Sequence, residues 1–91
     1  MTFEPQWKQD FDRDGFVVLR QYVDADEAAN VDSQIDRFIR DVLPTAPATT
    51  AFYEDPDDPS SIMRLQNILE HDEWFHELYY SESVAGLARH L

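Results

Sequence analysis

His71 stands two residues before Glu73 in "HDEWFH", and His90 follows downstream. Two imidazoles and one carboxylate make up the ligand set that holds a non-haem ferrous ion with coordination positions left open. A free-standing metalloprotein built on His71, Glu73 and His90 is therefore the first chemistry to weigh. Helical geometry argues against it. Asp72 can cap a helix running through "EWFHELYYS", and residues two apart on a helix point about 200° from one another. An H-x-E pair converges on one ion only where alternate side chains share a face, as on a strand. Trp74, Phe75, Leu78 and Tyr79 instead have the spacing of a buried helical face, which leaves His71 and His76 as exposed or capping residues. The expectation is a supporting scaffold with no metal-ligating and no catalytic residue of its own.

No other constellation carries chemistry. The two glycines are isolated, so there is no phosphate-cradling loop, and the serines lie in helix or cap contexts without a nucleophile elbow. Asp57 and Asp58 fall in a loop, where solvation outweighs general acid–base work.

The elements that must position these side chains can be read in order. Pro5 suits a first helical turn, Trp7 and Phe11 fall four apart, and Gly15 supplies a stop, which predicts a helix over 5–14. "FVVLRQYV" (16–23) is β-branched and aromatic, and reads as a largely buried strand. Asp24 with Glu27 forms an acidic version of the capping box for a helix over 25–43. Ala28, Val31, Ile35, Phe38, Ile39 and Val42 make its apolar stripe, Asp36 and Arg40 can pair on its polar side, and Pro44 ends it. Residues 44–61 carry four prolines together with Glu54, Asp55, Asp57 and Asp58, and read as a variable acidic loop that Phe52 and Tyr53 pin to the body or close as a lid. "SIMRLQNIL" (61–69) alternates as a strand, with Met63, Leu65 and Leu69 facing inward and Arg64 and Gln66 sharing the other face. "SESVAGLARHL" starts a last helix at Ser81 or Ser83, with Val84, Leu87, Ala88 and Leu91 on one side. That stripe has no stop signal after it and suggests continuation into further polypeptide.

Ninety-one residues allow one domain, with 43% apolar content and six Phe, four Tyr and two Trp to build a core. The absence of Cys excludes disulfides and thiolate metal sites. No apolar run reaches the length of a membrane span, and the acidic, mixed N-terminus is unlike a signal peptide, so a cytoplasmic protein is expected. Nineteen acids against seven bases give a net charge of −12, which repels nucleic acid and anionic membranes.

The order of segments resembles a known family. "FDRDGFVVLRQYVDADEAANVDSQIDRFI" is similar to the opening of the phytanoyl-CoA dioxygenase family, where an aromatic residue before a D-G-F step leads through a strand to a capped helix. "IMRLQNILEHDEWFHELYYSESVAGLARHL" is similar to that family's next block, in which a strand with a basic residue and a Gln precedes E-x-D-x-x-F-x-x-L and a further helix. Together the two blocks cover residues about 9 to 91. The resemblance implies an α+β segment whose helices pack on strands that extend the main sheet of a double-stranded β-helix. It also implies a parent enzyme that uses Fe(II) and 2-oxoglutarate to hydroxylate a small-molecule substrate. Iron would sit on an H-x-D pair and a distal His of a C-terminal core that these 91 residues do not contain, so the chain alone is expected to be inactive. By the same resemblance Arg64 lies near the 2-oxoglutarate pocket, where a guanidinium can hold a carboxylate in a forked geometry. Gln66 is the weaker candidate for lining that pocket. The rival reading is a stand-alone acidic α+β module that binds a protein partner and has no catalysis.

Overall fold

A computed structural model of the chain describes residues 2–91. It is a helix-rich α+β fold with one two-stranded sheet. Helix α1 (Pro5–Asp14) begins with its proline and ends at Gly15, whose φ of 80° turns the chain left-handed while its N–H donates to the Phe11 carbonyl at 2.8 Å. Helix α2 (Ala25–Arg37) starts as its sequence anticipates, with the Asp24 carboxylate accepting the Glu27 N–H at 2.7 Å. It runs on through a π-type turn (Phe38–Val42) and a 3-10 turn (Leu43–Thr45) that contains Pro44, a residue with no N–H to continue an α-helical ladder. The expected Asp36–Arg40 pair gives way to a nearer partner: Arg40 Nε donates to Asp41 at 2.9 Å.

Residues 16–23 are not the expected strand. A strand requires a neighbour to complete its ladder, and none of the described segments offers one. Burial still alternates there, with Val17 and Leu19 half-buried while Phe16 and Val18 are 63% and 62% exposed. Gln21, at a φ of 55°, then breaks the extended run.

The acidic loop is more ordered than its composition implies. A 3-10 turn (Ala48–Thr50) feeds strand β1 (Ala51–Tyr53), which pairs antiparallel with β2 (Ile62–Leu65). Phe52 and Tyr53 thus belong to a strand. The acids between build the reversal: Asp55 Oδ1 accepts the Asp57 N–H at 3.0 Å, and Asp58 Oδ1 accepts both the Ser60 N–H and hydroxyl. Strand β2 is shorter than 61–69, and its inward face also differs. Arg64 lies opposite Phe52 while Ile62 lies opposite Tyr53, so Met63 is the extra residue of a bulge and stands 71% exposed. The bulge turns Ile62 inward instead of Met63, while Leu65 faces inward as its spacing predicts. Asn67, left-handed at a φ of 57°, then turns the chain into a short helix α3 (Ile68–His71) where strand was expected.

Helix α4 (Glu73–Tyr79) is capped by Asp72, which accepts the Phe75 N–H at 3.2 Å. Trp74, Phe75 and Leu78 face the body as their spacing requires, but Tyr79 is 49% exposed. A second π-type turn (Glu82–Gly86) follows Ser81 and leads into α5 (Leu87–His90). The Ser81 hydroxyl donates back to the Leu78 carbonyl at 2.6 Å, so it does not cap the helix after it.

Among the described residues the buried core is small: Phe38, Thr50, Ala51 and Phe75, with the Phe38 and Phe75 rings edge-to-face at 6.0 Å. Arg37, on the helical turn beside Phe38, does not simply extend into solvent. Its guanidinium instead reaches across to Asp72 with two bonds of 2.8 and 2.9 Å and is steadied by Gln34 Oε1 at 2.7 Å. The radius of gyration is 16.2 Å, against about 12 Å for a compact domain of this length. No described helix is long and apolar enough to cross a membrane.

Replacing Asp72 with Ala removes the α4 cap and leaves Arg37 without its carboxylate, an expected loss of about 2 kcal/mol in denaturant unfolding. The hydrogen bonds from Arg37, assisted by the cap, hold the Asp72 carboxyl below its ordinary value of 3.8. The stability difference between the native chain and Asp72→Asn should therefore be full above that pH and shrink as acid protonates the carboxyl below it. Gly15→Ala meets no neighbouring atom but forces a side chain into the left-handed region, and should cost about 1 kcal/mol in the same assay.

Candidate functional site

The three histidines lie in different surroundings. His71 ends α3 and Glu73 begins α4, with Asp72 extended between them, so the H-x-E pair straddles a helix break rather than lying within one helix. His76 is exposed and rests on Tyr80, ring centroids 4.7 Å apart. His90 is the surprise. Its Nε2–H donates to the Glu4 carbonyl at 2.9 Å, and its ring packs beside Phe3 at 5.3 Å and Trp7 at 6.4 Å. It fastens α5 to the N-terminal segment, a long-range role that no local spacing could reveal. Among the described residues no group of three or more His, Asp or Glu side chains is gathered to hold an ion.

Arg64 and Gln66 do come together. Arg64 projects from β2 with its guanidinium over the Phe52 ring, 4.4 Å from the centroid, and one guanidinium nitrogen lies 3.5 Å from Gln66 Oε1. Gln66 is itself fixed, since its backbone N–H donates to the Thr50 carbonyl at 2.8 Å and its Nε2 to the Thr49 carbonyl at 2.9 Å. The cross-strand placement of Phe52 opposite Arg64 explains the stacking, because directly opposed side chains on an antiparallel pair are in contact range. Arg64 also borders a groove of about 580 Å³ between the end of α2 and β2, whose walls include Ile35, Ile39, Leu65 and Phe75.

The charges around it make Arg64 unusual. Lys8, Arg13, Arg37, Arg40 and Arg89 each pair with an Asp or Glu of the chain. Arg40 and Arg13 hold Asp41 and Asp14, each below the usual carboxylate range through its hydrogen bond to the arginine. Among the described residues Arg20 and Arg64 have no carboxylate within ion-pairing distance, although the chain holds nineteen acids. No family model, no curated protein and no solved structure matches the chain.

Phe52 should hold the Arg64 guanidinium in place rather than hold the fold together. Phe52→Leu is expected to cost about 0.5 kcal/mol in thermal unfolding while markedly speeding solvent exchange of the Arg64 Nε proton, read by NMR.

Proposed function

We propose that the chain is the N-terminal scaffold segment of a cytoplasmic non-haem Fe(II), 2-oxoglutarate-dependent oxygenase of the phytanoyl-CoA dioxygenase type, acting on a small-molecule substrate. The observation that carries this reading is the Arg64 guanidinium. It is seated on an aromatic ring and steadied beside a fixed glutamine, and among the described residues no carboxylate lies within ion-pairing distance of it, in a chain with a large acidic excess. A planar guanidinium left open in this way suits an incoming carboxylate, and 2-oxoglutarate carries two. Gln66 contributes by orienting Arg64; its own amide nitrogen is already committed to the Thr49 carbonyl.

The uncovered apolar surface supports a scaffold role. Phe16, Val18, Met63 and Tyr80 are each more than 60% exposed, and the chain is more extended than a self-sufficient domain. In this reading a catalytic body supplies the iron ligands and covers that surface, while the two-stranded sheet offers an open edge for further strands. The same uncovered surface favours the rival reading, a protein-binding module without catalysis.

Two measurements decide between them. The coding sequence beyond the Leu91 codon should continue in frame into an H-x-D pair and a distal His. A stop codon there, with no partner chain bearing such a triad, would overturn the oxygenase reading. In the enzyme that contains this segment, Arg64→Ala should raise the apparent KM for 2-oxoglutarate at least tenfold, about 1.4 kcal/mol of binding, with Arg64→Lys intermediate. An unchanged KM removes Arg64 from the cosubstrate site.

A further inference from the structure

A separate cleft of about 250 Å³ lies between α2, α4 and the turn Glu82–Gly86. Its walls are apolar and aromatic: Val31, Trp74, Leu78 and Val84, with Tyr22 closing one end. Two polar side chains reach it from α2, Glu27 and Asn30. The Tyr22 hydroxyl donates to the Ser83 carbonyl at 2.7 Å, which ties the far wall in place. Val23 and Val84 stay 48% and 40% exposed, so the cleft is open to solvent.

The balance of charge selects a ligand. The grooves near Arg20 and near Arg64 each include a basic residue, whereas no basic residue lines this one. Its one charged wall residue is Glu27, which forms no ion pair among the described residues. Burial first, and then the negative charges of Glu82 and Glu27, push the Tyr22 phenol up from its ordinary value. Two aromatic walls, an apolar floor and one carboxylate make a surface on which an organic cation is stabilised by the ring faces and by Coulomb attraction at once. A net charge of −12 adds long-range attraction for such a ligand and opposes a second copy of the chain.

We propose that this cleft binds a small organic cation of the onium type, with its alkyl groups against Trp74 and its charge facing Glu27. The site is separate from Arg64 and does not depend on the oxygenase reading.

The test is an NMR and calorimetric titration of the full chain with tetramethylammonium and choline, against the neutral isostere 3,3-dimethylbutan-1-ol. The cations should bind saturably with millimolar Kd and perturb the Trp74 indole N–H signal, with the neutral isostere at least tenfold weaker. Glu27→Gln leaves the helix-capping bond intact, because that bond uses the Glu27 backbone N–H, and should weaken cation binding about tenfold with no change in fold. Equal affinity for the isostere, indifference to Glu27→Gln, or no saturable shift would overturn the proposal. A trimethyllysine peptide binding more than tenfold tighter than free trimethyllysine would overturn the small-molecule assignment in favour of a protein tail.

Discussion

The bond between Arg37 and Asp72 joins the two longest-separated parts of the core. One carboxylate accepts two guanidinium bonds from the end of α2 and simultaneously caps α4 through the Phe75 N–H. Phe38 and Phe75 follow the two charged residues closely in sequence and meet edge-to-face at 6.0 Å. Helix capping, a half-buried ion pair and the contact between two buried rings are therefore one unit. Ile35 and Phe75 of one groove, and Val31 and Trp74 of the other, come from the two helices that this unit joins. A charge pair of this kind specifies register more than it adds stability, since desolvating both ions offsets much of their attraction.

Around that unit the chain spends its charges locally. Lys8, Arg13 and Arg40 pair with acids one to four residues away, at exposed positions where each pair contributes little. The acids of residues 54–58 build a turn, and their hydrogen bonds to Ser60 hold Asp58 below the usual carboxylate range. Acidity here thus has structural uses besides solubility. Among the described residues Arg64 has ring and amide neighbours but no acid within ion-pairing distance, and Glu27 lines an aromatic cleft that no basic residue borders. The two proposed sites have opposite sign.

Local signals in the chain translated well where the physics is local. Pro5 and Gly15 bound α1, Asp24 caps α2, and Asp72 caps α4, each because a side chain or a backbone preference acts within four residues. Arg64 and Gln66, two apart on β2 and its exit, do come within contact of each other. Where pairing partners decide the outcome, the reading failed. "FVVLRQYV" has the composition of a strand but no strand beside it, while "AFY", embedded among prolines and acids, became one because β2 lay within reach. The Met63 bulge exchanged which residues of β2 face inward, and a one-residue insertion leaves no mark in a hydrophobic pattern.

By itself the sequence determined the bounds of α1, the starts of α2 and α4, the apolar stripe of α2 and the inward Trp74, Phe75 and Leu78 of α4. It also set the acidic excess, and the helix bounds and stripes follow from backbone preferences and side-chain reach over a few residues. Only the tertiary structure decided that Arg37 faces Asp72, that His90 fastens the C-terminal helix to the Glu4 carbonyl, and that Glu27 looks into a cleft with Trp74. Those relations join residues 35 to 86 positions apart, and only the packing of the chain as a whole brings such groups within bonding distance.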